Sequence, residues 1–261
     1  MVRSMQARLL RNSFYTIIRR EMIRIFRLWT QTLLPPVITQ SLHFLIFGAF
    51  IGSRVGLVDG VPYIAFIVPG LVMMAVIQNS FMNVVSSFFL AKFQRSIEEI
   101  LVSPTPDWVM MAGYVCGGIA RGVVTGALVF GVCAVFVHPP IQHPWVVVLF
   151  LFLSATLFSL AGFLNGIFAK KFDDISIVST FVLVPLTYLG GVFYSVQQLP
   201  GIWQTVSRLN PILYMVDGFR YGFFGVAGIP VWWSALVIAL ASAAFAAVNL
   251  YLLRRGTGMK Q

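Results

Sequence analysis

Acidic residues are scarce in this sequence. Eight Asp and Glu occur in 261 residues, and the long apolar runs contain none of them. Ion-coupled carriers place carboxylate relays at mid-membrane, so this scarcity argues against proton or sodium coupling. Lysine is scarcer still, and no lysine is followed by Ser or Thr. That excludes the phosphate-binding G-x-x-x-x-G-K-[ST] loop, so ATP hydrolysis through a P-loop must come from another chain. The two cysteines, Cys116 and Cys133, share one apolar run, where a helix would hold them about 25 Å apart. They cannot pair with each other. His43, His138 and His143 give no metal-ligand spacing, and the last two sit among Pro139, Pro140 and Pro144, a loop composition. No Ser/His/Asp cluster falls in one run, so a membrane enzyme lacks its chemistry. The first thirty residues have no short apolar core with a small-residue cleavage site, and no removable signal peptide is expected.

What the sequence does have is apolar length. It is 59% hydrophobic and 10% charged, with mean hydropathy +0.89, far from the balance of a soluble domain. The expected fold class is an all-α integral membrane protein of six transmembrane helices, at about 31–51, 63–90, 108–137, 145–169, 175–194 and 231–253. Pro35-Pro36 enters the first, and Pro69-Gly70 predicts a kink in the second. The formal charge of +10 is not a nucleic-acid footprint, because the basic residues hug the ends of the runs. Fourteen of the 18 Lys and Arg lie in the N-terminal segment, the 92–107 loop, the 170–174 turn and the tail. Arg54, Arg208 and Arg220 lie in the alternate loops, and Arg121 lies inside a run. The positive-inside bias predicts that both termini and the 92–107 loop face the cytoplasm.

The connections carry their own patterns. Residues 14–29 predict an amphipathic helix in the membrane interface, with Phe14, Ile18, Met22, Ile25 and Trp29 facing down and Arg20, Arg24 and Arg27 facing anionic headgroups. A calmodulin-type target helix is the lesser alternative. Between the second and third runs, Phe93, Ile97, Ile100 and Leu101 fall on one face of a charged helix of about three turns. Arg95 can meet Glu98 or Glu99 there, and Pro104 and Pro106 stop the helix. Either it lies on lipid headgroups as a solvated loop helix, or it docks on a cytosolic partner. In the third run Gly113-x-x-x-Gly117 precedes Gly118-x-x-x-Gly122-x-x-x-Gly126, a groove for close helix approach. Arg121, a charge within that run, is expected to face a cavity, a partner or the bundle interior. Between the fifth and sixth runs, Ile202, Trp203, Val206 and Leu209 form a helical stripe, Asn210-Pro211 breaks it, and a second helix covers Ile212–Phe224. This hairpin either dips into the outer leaflet or lies flat on it.

Several blocks, in order along nearly the whole chain, resemble the integral-membrane subunit of ABC-2 type exporters of the bacterial inner membrane. They are Leu34-Pro35-Pro36-Val37-Ile38-Thr39, Phe66-Ile67-Val68-Pro69-Gly70-Leu71, Ala91-Lys92-Phe93-Gln94-Arg95-x-Ile97-Glu98-Glu99 and Ala112-Gly113-Tyr114-Val115. They continue with Lys171-Phe172-Asp173-Asp174-Ile175-Ser176, Pro185 through Tyr194, Leu209-Asn210-Pro211-Ile212 and Gly218-Phe219-Arg220-Tyr221-Gly222. The resemblance implies one transmembrane domain over 1–261. It would comprise an interfacial helix (1–30), two spans (31–90), a coupling helix (91–107), three spans (108–194), an outer re-entrant hairpin (195–230), a last span (231–253) and a cytosolic tail (254–261). It implies a half-transporter that pairs with a second copy, amid membrane lipids, each copy docked on a separate cytosolic ATPase subunit. That subunit, present twice per transporter, would hold ATP and Mg; this chain would bind no cofactor, metal or nucleic acid. The residues so implicated are Phe93, Gln94, Arg95, Ile97, Glu98, Glu99 and Leu101 for ATPase coupling. Gly118, Arg121, Gly122 and Gly126 are implicated for the pathway or dimer seam, and Trp203, Asn210, Pro211, Asp217 and Arg220 for the outer hairpin. The alternatives are an ion-coupled secondary transporter and a non-transporting scaffold. The former would show inverted repeats with broken helices at matching positions, which the sequence does not display.

Overall fold

The computed structural model describes residues 2–103 and 105–258, with side chains described from Leu10 onward except at Ile100 and Leu101. It contains six long apolar helices: Trp29–Val55, Tyr63–Phe93, Asp107–Phe136, Pro144–Phe168, Phe172–Leu189 and Val231–Arg254. These are called the first to sixth spans below. One departure from the all-α expectation is a ribbon pairing Leu57–Val58 with Val61–Pro62. Its turn residues Asp59 and Gly60 have φ of 51° and 80°, the two positive values a tight type I′ hairpin requires.

The ends of the spans follow local chemistry. Pro35 and Pro36 occupy the first turn of helix Leu34–His43, where a missing N–H costs least. They interrupt the first span, which is a sequence of short pieces with a π-helical stretch at Phe44–Ile51. The second span runs unbroken through Pro69-Gly70 as one helix of 31 residues. The fifth begins earlier than 175, because Asp174 reaches back to accept from the amides of Lys170 and Lys171 at 2.8 and 3.0 Å. It stops at Leu189 rather than 194, where Gly190 and the left-handed Gly191 turn the chain.

The second span is the centre of the bundle. Of its most apolar window 89% is buried, against 11% for the fifth span and 17% for the first and the sixth. Without water between helices, close packing rather than hydrophobic burial holds such a centre together, and small residues permit it. A Cβ at Gly162 in the fourth span would lie 2.5 Å from the carbonyl oxygen of Phe81, so only glycine allows that approach. A second apolar cluster gathers at the basic end of the bundle. It includes Ile17, Phe88, Ala91, Ile97, Met110, Tyr114, Phe163 and Leu253.

The N-terminal helix extends over Val2–Arg27 and packs on the third span. Helices Gly201–Arg208 and Pro211–Phe224 connect the fifth and sixth spans. They are separated at Asn210, whose side chain accepts from the Ile212 amide at 3.0 Å and donates to the Leu186 carbonyl at 2.6 Å. Pro211 takes the first helical position, as the Asn-Pro pair predicts.

Candidate functional site

At the basic end, the first glycine pair receives the N-terminal helix. Ile17 lies against Gly113 and Glu21 against Gly117. Glu21 is 1% exposed. Its carboxylate accepts from the Ser87 hydroxyl, from Arg24 Nη2 at 2.8 Å and from Asn83 Nδ2 at 3.4 Å. Arg24 Nη2 also donates to Asn83 Oδ1 at 2.8 Å, and Arg20 Nη2 donates to the Tyr114 hydroxyl at 2.5 Å. This corrects the expected orientation of the helix: Arg24 turns inward, and the packed edge is Ile17, Glu21 and Ile25 rather than a purely apolar face. A buried carboxylate needs such partners, because an unpaired charge in a low-dielectric interior is costly. Glu21, Asn83 and Ser87 belong to no motif in the sequence. Their signal was nonetheless present, an acid four residues from Ile17 and from Ile25, and a polar row Asn79, Asn83, Ser87 at helical spacing.

The loop between the second and third spans differs from the expected single helix. The second span ends at Phe93, Arg95 takes a left-handed conformation with φ 58°, and a new helix covers Ser96–Val102. Phe93 and Ile97 therefore do not share a face. Phe93 is exposed beside Phe89 and Phe172, whereas Ile97 is 3% exposed within the basic-end cluster. Gln94, Arg95, Glu98 and Glu99 are exposed. No ion pair joins Arg95 to Glu98 or Glu99 among the described residues; the Leu101 side chain lies outside them. Lys92, read in sequence as a topology signal, is buried and donates to the carbonyls of Gly166, Ile167 and Ala169 at 3.0, 2.7 and 3.2 Å. It thus caps the fourth span, whose last carbonyls lack helical donors.

Midway along the bundle, Gly118, Gly122 and Gly126 lie against Val84, Ser80 and Val76 of the second span. The groove expected to line the pathway or a dimer seam receives the chain's own second span. Arg121 Nη2 donates to the Thr32 carbonyl at 2.9 Å and to Asn79 Oδ1 at 3.2 Å. The reason lies in the first span. Thr32 would normally bond the amide four residues on, but that residue is Pro36, which has none. Arg121 supplies the missing donor and joins three spans.

At the opposite end a cleft of about 500 Å³ lies between the ribbon turn and the two connecting helices. Asp59, Arg208, Asp217, Arg220, Gln197 and Gln204 line it together with Phe66 and Phe224. Arg220 is 9% exposed, stacks 3.8 Å above the Phe66 ring and donates to the Gly191 carbonyl at 2.8 Å. Burial lowers its pKa to about 10, against the pull of Asp217 and Asp59. Asp217 accepts from the Gly228 and Ile229 amides at 3.1 and 2.9 Å. Burial pushes its carboxyl upward, partly offset by those amides and by Arg220. Trp203, with Ile202, Val206 and Leu209, is exposed on the outside of the bundle. The stripe expected from sequence is thus present, with Ile202 and Leu209 about four-fifths exposed and Trp203 and Val206 about half exposed.

Six apolar helices, five of them around the buried second span, with charges gathered at two ends and one arginine clamped between spans, define a multi-pass membrane protein. Residues 12–224 match the family described as ABC-2 type transporter, and the chain belongs to that family. It is 56% identical over 243 residues to the inner membrane transport permease YadH of Escherichia coli K12, covering 92% of this chain and 94% of that protein. More distant relatives include Nodulation protein J of Sinorhizobium fredii, 27% identical over 217 residues and 80% of each chain. Nodulation protein J of Rhizobium meliloti is 28% identical over 178 residues and 66% of each.

Proposed function

We propose that this chain is an inner-membrane transport permease, the membrane-embedded half of an ATP-driven exporter. Two copies form the translocation pathway, and each couples to a separate cytosolic ATPase that binds ATP and Mg. The basic end faces the cytoplasm, as the distribution of Lys and Arg argues. Helix Ser96–Val102 is the coupling helix, the N-terminal helix lies in the interface, and helices Gly201–Arg208 and Pro211–Phe224 form the outer re-entrant hairpin within a single transmembrane domain. The observation that carries this reading is the anchoring of the coupling helix. Ile97 is set in the cluster that joins the N-terminal helix to the second, third and fourth spans, while Glu98 and Glu99 remain exposed. A push on the acidic side is therefore transmitted to the bundle through a packed side chain. In this reading the contact surface is Phe93, Gln94, Arg95, Glu98 and Glu99, and Ile97 is the internal anchor. The family supplies the expectation of an ATPase partner, and the lack of a P-loop lysine supplies the need for one.

Co-purification of the ATPase tests it. Reversal of both acids, Glu98→Lys with Glu99→Lys, should weaken retention of the ATPase and slow its stimulated hydrolysis while the bundle stays folded, because opposite charges steer and register such contacts. Unchanged retention and hydrolysis in that variant and in Phe93→Ala would overturn the docking assignment. Orientation is checked separately by single cysteines at Ser96 and Gln204, in a background lacking Cys116 and Cys133. They should label from opposite sides of sealed vesicles.

A further inference from the structure

At the foot of the second span the N-terminal helix leaves a cleft of about 440 Å³. Its lining combines two chemistries. Arg20, Arg24 and Arg27 line it with Ser87, Gln94 and Ser96, and Ile23, Leu28, Leu90 and Ala91 supply apolar surface to the same cleft. The single carboxylate on the wall, Glu21, is engaged by Arg24, Asn83 and Ser87. Arg20 uses one nitrogen on Tyr114, and Arg27 has no hydrogen-bond or ion-pair partner among the described residues. Two cationic groups are left without a counter-charge.

The cleft also sits at a defined depth. The first span begins at Trp29 and the second ends at Phe93, so Leu28 and Leu90 lie where two spans leave the hydrocarbon. A helix of 31 residues is about 46 Å long, more than the roughly 30 Å of hydrocarbon, which puts its last turns among the headgroups. Ile23, Phe26 and Trp29 follow at three-residue spacing beside the cleft and are all exposed. Arginine donors at headgroup level over an exposed apolar wall match one class of molecule, an amphiphile with an anionic phosphate head.

We propose that this cleft holds one anionic phospholipid of the surrounding membrane, its phosphate on Arg20 and Arg27 and an acyl chain along Ile23, Leu28 and Leu90. The site is independent of the transport reading. Because Glu21 on the same wall fixes this helix to the second and third spans, the bound lipid adds to that brace between the N-terminal helix and the bundle.

The purified full-length permease, in zwitterionic detergent micelles doped with either phosphatidylglycerol or phosphatidylcholine, tests this by native mass spectrometry and thermal unfolding. Phosphatidylglycerol should bind as one retained lipid and raise the unfolding temperature; phosphatidylcholine should do neither. Arg27→Gln, a change at an exposed residue with no partner to lose, should weaken retention about fivefold, and adding Arg20→Gln should weaken it further by a similar factor. Arg27→Lys should restore most of the binding. Equal retention of both lipids, or retention unchanged in the double variant, would overturn the assignment. Inorganic phosphate alone producing the same stabilisation would also overturn it, since the apolar wall would then contribute nothing. If Arg27→Gln released a co-purified ATPase while leaving phosphatidylglycerol bound, the cleft would belong to an acidic face of the partner and the lipid assignment would fall.

Discussion

The two ends of the bundle use buried charge in opposite ways. At the basic end, Glu21 and Arg24 reach from the N-terminal helix to Asn83 and Ser87 of the second span, and Arg20 reaches Tyr114 of the third. Side chains there join elements far apart in sequence, so the charges fix how whole helices sit. At the other end Asp217 and Arg220 stand three residues apart on one helix and bond backbone groups, the amides of Gly228 and Ile229 and the carbonyl of Gly191. These charges pin the loops that leave and rejoin the bundle. One end is keyed between helices and the other between a helix and its flanking loops, so damage should spread further from the first.

The largest effect should follow removal of Glu21. Glu21→Ala takes the acceptor from Ser87 and Asn83 and leaves Arg24, whose side chain is 23% exposed, beside neutral partners. Because Arg24 keeps partial access to water, the cost is about 3 kcal/mol, the low end for breaking a buried pair. The loss should appear in unfolding temperature and in detachment of the N-terminal helix, read as new proteolytic sensitivity near Arg27. Glu21→Gln should cost less, because the amide oxygen can still accept from Ser87. If Asp217→Ala proved as damaging to global stability as Glu21→Ala, the contrast between the two ends would be wrong.

Arg121 lies between the ends and should have an intermediate effect. Arg121→Ala strips the Thr32 carbonyl and the Asn79 side chain of their donor, a loss of about 2 kcal/mol for hydrogen bonds from a charged group. Because Pro36 is what leaves Thr32 unpaired, a Pro36→Ala background should shrink the penalty. A double-mutant cycle by thermal unfolding checks this; full additivity would disprove the link.

Asp217 should show its effect through pH. Its folded pKa is raised, chiefly by burial, so the folded chain holds this proton to higher pH than the unfolded chain. Stability from this group is present below the ordinary carboxylate pKa of about 4 and falls as pH rises through the folded value. Asp217→Asn should flatten that slope, measured as unfolding temperature against pH, at a small constant loss because only one of its two side-chain ends accepts. The smallest effect on the fold belongs to Glu98→Lys with Glu99→Lys, within about 0.5 kcal/mol for exposed positions. Its consequence should fall on partner retention instead.

Much of this was legible in the sequence because it depends on local rules. Apolar runs of bilayer length gave six spans, Asn210-Pro211 gave the break between the connecting helices, and the glycines of the third span gave the close packing. The identity of the packed neighbour was not legible. Gly113 and Gly117 accept the N-terminal helix, while Gly118, Gly122 and Gly126 accept the second span; a glycine row advertises a groove without naming what enters it. The break in the loop helix was not legible for a related reason. Phe93 and Ile97 keep helical spacing, but the left-handed Arg95 between them rotates one away from the other, and periodicity assumes the helix continues.

Residue type and spacing determine where the chain is apolar, where it turns and how its basic residues divide, because transfer to lipid and the missing N–H of proline act on each segment by itself. Which charges become paired was decided only by tertiary structure. Glu21 is an ordinary acid on a basic helix until Gly117 lets it approach Ser87, and Arg121 is a costly charge in lipid until Pro36, 85 positions earlier, leaves a carbonyl for it to satisfy. A buried charge is stable only beside its partner, and that partner is chosen by packing.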